Sequence, residues 1–523
     1  MKSSLLIGLL RIVNFFPLVT RLINRIVSNQ LATATTARPN SYSLWSPVDK
    51  KNQPPSSYLT WHTVTNKSFF DLHLSPAEDS FIKGLPSNDG TKEYPFGQVT
   101  ELFKRENGLK EGRSSVFFMF FAQWFTDGFF RSDHIDLRKT TSNHNIDLAQ
   151  IYGPNEEVAL MLRSGSKGKL KSQIIDGEEY PDYLGELNDK GEWQVKECYE
   201  RLPYIADKDW MESIFGNLTT EQKTQLFATG LERGNSIIGH MVMSTLFLRE
   251  HNNICDNLSI LYPDWDDDRL FHTARIINTV VLMKLVIEDY VNHIAGVDVL
   301  IMDPSYVEKK DWYREPWIAA EFNLLYRWHG LVPDALEISG RSESFVQNFS
   351  LLTQEGLSNL LEAATQQAAG QITLDNVPAF LMPAEQSMIN KGRDWQLRSY
   401  NDYREKFGLQ RLDSFEQLSH NSTINKELEK LYGHIDKLEF TVGLFAEDSE
   451  LTLTGGLQTA MVAYDAITQI YTNPLLARQN YTEEHFTSFG MERIEETKSF
   501  QELVDRNTQR KVTVSVNNQS MTS

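Results

Sequence analysis

Apolar residues in this chain recur mostly three and four positions apart, the period of helices that bury one face. TLFLREHNNICDNLSILY, DDDRLFHTARIINTVVLMKLVIEDYVNHI and NKELEKLYGHIDKLEF all predict helices. The apolar run Phe117–Phe125 predicts a buried helix too short to cross a membrane. Strand signals are few, and RKVTVSVNN near the C-terminus is the clearest. There is no internal repeat. The pattern predicts one large, mainly α-helical domain from roughly residue 60 to 500.

The first 30 residues stand apart, because they carry Lys2, Arg11, Arg21 and Arg25 and no acid. Leu5, Leu6, Leu9 and Leu10 recur at helical spacing, as do Val19, Leu22, Ile23, Ile26 and Val27, and Pro17 divides the two runs. Short helices with basic and apolar faces suit a membrane interface. A signal peptide and soluble packing helices are the rival readings; Arg11 interrupts the first apolar stretch, and no small-residue cleavage site follows at once. Residues 31–60 have the Thr, Ser, Pro, Asn and Lys content of a linker.

Composition narrows the class. With 41% hydrophobic and 23% charged residues the chain is expected to fold, and a net charge of −19 argues against general nucleic-acid binding. Two cysteines, Cys198 and Cys255, exclude a disulfide framework and favour a reducing, cytoplasmic compartment. The sequons at Asn217 and Asn348 read as chance matches. The motifs of zinc proteases, serine hydrolases, P-loop proteins and dinucleotide-binding enzymes are missing.

One segment carries possible redox chemistry: EFNLLYRWHGLVPD, residues 321–334. On a continuous helix Tyr326 and His329 would share a face, so a haem iron held by the imidazole would lie close to the phenol. Taken alone, the same residues also read as ordinary core.

The segment resembles the proximal-histidine region of the prostaglandin endoperoxide synthases, the cyclooxygenases. The resemblance continues in order through FFAQWFTDGFF (120–130), IDLAQIYG (146–153), GKLKSQIIDGEEYP (168–181), LREHNNICDNL (248–258), VIEDYV with Tyr290, NKGRDWQLRSYNDYREKFG (390–408) and LEKLYGHIDKLEFTVGLFAED (428–448). LREHNNICDNL and Gly392-Arg393-Asp394 are similar to signatures of the wider animal haem peroxidases. The resemblance implies a large helical haem peroxidase-like domain at 46–523, preceded by a monotopic membrane-binding segment and linker at 1–45. It implies non-covalent haem b, with His329 as proximal ligand, Asn401 supporting the imidazole and Tyr290 beside the cofactor. It implies Tyr326 as the radical-forming residue, with Gln123 and Asp127 at the distal positions. Phe322, Leu325 and Trp328 are expected along the substrate channel.

Several positions depart from that pattern. Asp127 stands where the family has its distal acid–base histidine, which puts peroxidase activity in doubt; His134 is a weaker substitute. Thr441 replaces a tyrosine near the proximal site. At the channel entrance Leu31, Val297 and Ala460 replace an arginine, a tyrosine and a glutamate. Arg25 could replace that arginine or simply meet lipid phosphate. Ala466 replaces the serine that aspirin acetylates, so that modification is not expected.

The sequence therefore predicts a haem-dependent, membrane-associated fatty-acid dioxygenase acting on an unsaturated fatty acid and O₂. A homodimer is the family expectation. A haem peroxidase without oxygenase activity and a catalytically silent haem protein are the alternatives.

Overall fold

The computed structural model of the chain describes residues 17–33, 67–449 and 452–518. The apolar run at Leu5–Leu10, most of the linker and the boundary expected between residues 45 and 46 lie outside them. The helices that position the site are α1 (Pro17–Ala32), α2 (Val116–Phe129), α3 (Ile238–Leu261), α4 (Asp267–Leu285), α5 (Ala320–Leu325), α6 (Met382–Asp394), α7 (Tyr400–Lys406) and α8 (Gly456–Tyr471). Among the described residues the sheets are four isolated two-stranded pairs. The mainly helical class expected from periodicity is the class observed.

The long apolar helices form the centre. Ser115 caps α2 by accepting the Phe118 amide, and a nearly continuous apolar sequence lets α2 be buried on almost all sides. It packs on α3, where the Trp124 indole donates to Ser244 Oγ at 2.9 Å. The helical run Asp267–Ala295 is apolar enough to cross a membrane, but 83% of its most apolar window is buried inside the protein, so it is core. Its last part is a π-helical turn, Val286–Val291, which carries Tyr290. Such turns often mark functional positions, because the extra residue re-aims the side chains after it.

Two expectations change. RKVTVSVNN does not form a strand; it runs extended with a single bridge, Ser114 to Asn517. Alternating β-branched residues favour extension, but a strand needs a partner along its length, and here pairing is confined to a few bonds, such as Ser115 N–H to Val516 O at 3.0 Å. The helix expected over 425–440 is broken after Tyr432 by Gly433, at φ 71°.

Helix α1 is mounted the reverse way round for a soluble helix. It buries Thr20, Asn24, Ser28 and Ala32 and exposes Leu18, Val19, Leu22 and Ile26, by 81, 44, 60 and 49%. Polar bonds hold the buried face: Asn24 Oδ1 accepts Ile301 N–H at 3.1 Å, and Trp312 Nε1 donates to Asn29 at 3.2 Å. Among the described residues the opposite face thus presents four exposed apolar side chains.

Candidate haem and radical site

The EFNLLYRWHGLVPD segment is not one helix. α5 ends at Leu325, Tyr326 is its C-cap at φ −90°, ψ 13°, and His329 begins a short 3₁₀ turn to Leu331. Between them Trp328 N–H donates to Tyr326 O and His329 N–H to Arg327 O, both at 2.9 Å. These tight turns replace the shared helical face expected for Tyr326 and His329. Each side chain is therefore aimed by the turn and by its own neighbours.

For His329 the neighbour is Glu385. The imidazole Nδ1 lies 2.5 Å from Glu385 Oε2, and this carboxylate, on the first turn of α6, is 1% exposed. With Nδ1 donating to the carboxylate, Nε2 carries the lone pair, which is the tautomer an iron ligand needs. Asn401 does not perform this task. Its amide donates to Leu412 O at 2.9 Å and Asp436 at 2.7 Å, and its oxygen accepts Leu412 N–H, so all of it is spent on pinning the turn after α7. The polar partner of the His329 imidazole is thus Glu385 and not Asn401. Thr441 packs on Gly392, where an added Cβ would come within 3.0 Å of it. Arg393 of the Gly-Arg-Asp sequence pairs with Glu439 at 2.7 Å and so fixes α6.

Tyr326 lies in an aromatic shell. Phe322 meets it edge-on at 5.2 Å, Trp328 at 4.7 Å and Phe130 at 5.5 Å between ring centres. Phe322, Leu325 and Trp328 are almost wholly buried. Tyr290 was expected in the cofactor set; its phenol instead interacts with that of Tyr326, though without an aligned hydrogen bond, and its ring stacks on Phe118 at 5.1 Å. Burial pushes both phenols well above the usual tyrosine range, and Asp465 on α8 adds to the rise at Tyr326. Asp465 is itself buried against His73, Nε2 to Oδ2 3.0 Å. Ala466 follows it and is buried without a hydroxyl.

Helix α2 carries Gln123 and Asp127 one turn apart. Gln123 Oε1 is buried without a partner. Asp127, 24% exposed as a side chain, lies 3.6 Å from Arg233 and 3.2 Å from His240 Nε2. His134 is not close to it in this way; it stacks on Trp210 at 4.3 Å and faces Asp207 at 3.6 Å. Asp127 lines a cavity of about 400 Å³ whose other walls include Arg233, Arg327 and Lys391. Burial and neighbouring arginine charge pull Arg327 down to about 10 and Lys391 to about 8.

These residues fit a haem. The imidazole Nε2 has no partner among the described residues, and buried polar atoms without partners occur at Gln123 Oε1 and Trp328 Nε1; the neighbouring cavity is lined by Arg131, Arg233, Arg327 and Lys391, which can meet carboxylates, together with Asp127, Asp133 and Glu232. Arg25 is placed elsewhere: it forms an ion pair with Asp303 at 2.8 Å and bonds to Ser305, fastening α1 to the loop after Ile301. Leu31, Val297 and Ala460 are each half-buried. Local sequence carried no signal for Glu385 or His240, which lie 56 and 113 residues from the side chains they meet.

Fold and site together define a helical haem protein of the peroxidase class. The family model described as animal haem peroxidase matches residues 129–519. Prostaglandin G/H synthase 2 of Gallus gallus is 35% identical over 401 residues, 75% of this chain and 62% of that protein. Prostaglandin G/H synthase 2 of Oryctolagus cuniculus is 32% identical over 488 residues, 89% of this chain and 76% of that protein. The chain belongs to the animal haem peroxidase family and, within it, to the prostaglandin G/H synthase group. It spans under two thirds, 62%, of the chicken and bovine relatives. Its fold is also that of the Oryza sativa fatty acid alpha-dioxygenase, at TM-score 0.68 and 17% identity over 86% of this chain and 84% of that one. Peroxidase A of Dictyostelium discoideum gives 0.66 and 18%, over 91% and 99%.

Proposed function

We propose that the chain is a haem-dependent fatty-acid dioxygenase that oxygenates an unsaturated fatty acid through a radical on Tyr326. One observation carries the reading: a phenol buried among aromatic rings lies three residues from an imidazole whose Nδ1 is held by a carboxylate and whose Nε2 is free. Non-covalent haem b on His329 supplies the one-electron oxidising power. Tyr326 gives up a hydrogen atom and then takes one from an activated CH₂ of the fatty acid. O₂ adds to the carbon radical, and the peroxyl radical recovers the hydrogen from Tyr326 to give a hydroperoxide and a renewed tyrosyl radical. Phe322, Leu325 and Trp328 exclude water from that exchange. Oxygen uptake by the haem-loaded protein with linoleate and arachidonate, followed by mass spectrometry of the products, tests this. Uptake with a hydroperoxide product is expected; oxidation of guaiacol by peroxide without any oxygen uptake would leave a peroxidase instead.

The same reading places the protein at a membrane surface, as a monotopic protein facing the cytoplasm. The support is the outward apolar face of α1. Leu18→Glu, Leu22→Glu and Ile26→Glu together leave its packed face intact and are expected to abolish liposome co-sedimentation. Wild-type sedimentation by that variant would contradict the assignment.

A further inference from the structure

The distal histidine missing from α2 has a counterpart on α3. His240 is 5% exposed as a side chain and sits behind Asp127, Nε2 to Oδ2 3.2 Å, off the ideal hydrogen-bond line. The other ring nitrogen reveals the protonation. Ser236 Oγ donates to Arg233 O at 2.8 Å and lies 2.8 Å from His240 Nδ1, which is also 3.0 Å from Arg233 O. A carbonyl oxygen only accepts, so the contact between Nδ1 and Arg233 O favours the tautomer with the hydrogen on Nδ1. A neutral His240 would then point the Nε2 lone pair at an ionised carboxylate. That arrangement is repulsive, and one proton placed between the two groups removes the repulsion.

We propose that Asp127 and His240 form a one-proton pair that serves as the distal acid–base device, with Asp127 facing the cavity and His240 positioned behind it as proton store. A hydroperoxide must move one proton from one peroxide oxygen to the other before its O–O bond can break. Asp127 accepts that proton as His240 takes up the pair's own, and the pair then returns a proton to the second oxygen. No proton is gained or lost over the cycle, and the pair ends as it began. Arg233, whose charge is drawn to Asp127, keeps the carboxylate turned toward the cavity. The proposal rests on the haem-site reading, not on fatty-acid chemistry.

The test uses the haem-loaded protein and two probes, cyanide association, in which hydrogen cyanide must surrender its proton at the distal face, and consumption of a fatty-acid hydroperoxide. Asp127→Asn, His240→Leu and His240→Gln are each expected to keep the haem spectrum and to slow both processes by roughly 10²-fold or more, the usual worth of general acid–base help. The double variant Asp127→Asn, His240→Leu is expected to be no slower than either single one, since the two act as a unit. His240→Gln retains an N–H at the position of Nε2 but cannot exchange a proton. Wild-type rates in His240→Gln would show that His240 only braces Asp127, and multiplied losses in the double variant would show that the two act separately; either result overturns the proposal. Absence of haem from all variants and the wild type would overturn the haem reading itself.

Discussion

The two walls of the site use the same pair of groups in opposite order. At the proposed proximal position His329 has a buried carboxylate, Glu385, on its Nδ1. On the distal wall a carboxylate, Asp127, faces the cavity and a buried histidine, His240, stands behind it. An iron ligand must offer a lone pair, so its partner accepts the proton on the far nitrogen. An acid–base group must offer and recover a proton, so its partner stores one. The order of the pair, not its composition, separates holding a metal from moving a proton.

Removing the front group of the proximal wall is the largest disturbance. His329→Ala is expected to lose haem outright, read as loss of the Soret band and of iron stoichiometry; wild-type values would refute the ligand assignment. Removing only the charge behind it is milder. Glu385→Gln keeps size and shape, and the haem affinity is expected to fall about 10- to 100-fold, the range for residues that orient a ligating histidine. Haem titration measures it. An unchanged affinity in Glu385→Gln together with a loss in Asn401→Ala would return the supporting role to Asn401.

The smallest effect is electrostatic. Lys391 lines the cavity and is pulled from 10.5 down to about 8 by burial and by Arg327 and Arg233. The folded protein therefore holds this proton less tightly than the unfolded chain does. Between about pH 8 and 10.5 the unfolded state binds more protons, so this residue makes stability rise with pH across that window. Lys391→Met is expected to flatten that rise in the melting temperature of the haem-free protein. An identical slope in both proteins would contradict the lowered value.

Much of the frame was legible in the sequence, because the long helices bury apolar faces at a regular period. The exposed ends of α3 and α4 follow that rule, whereas α2 and the inner parts of α3 and α4 are buried nearly all round and read in sequence as apolar runs. The segment around Tyr326 did not follow it, since Gly330 must pass close to Gln371 O, 2.6 Å from where a Cβ would stand, and the segment's side chains meet distant segments such as Glu385. The family resemblance pointed to Tyr326, His329, Gln123 and Asp127, and also to Asn401, whose amide here serves a local turn. Glu385 reads in sequence as an ordinary acid on the first turn of a helix, where it suits the dipole. His240 reads as one polar residue within an apolar helix. Neither partner is visible until the chain brings distant segments together.

The measurement that bears most directly on the account is oxygen consumption by Tyr326→Phe at full haem occupancy. The substitution removes one hydroxyl and leaves the ring among Phe130, Phe322 and Trp328. With linoleate or arachidonate and a trace of hydroperoxide, the wild type is expected to consume oxygen while the variant, with the same Soret band, consumes none above the buffer rate. Oxygen uptake by Tyr326→Phe at the wild-type rate would contradict the radical role on which the proposed function stands.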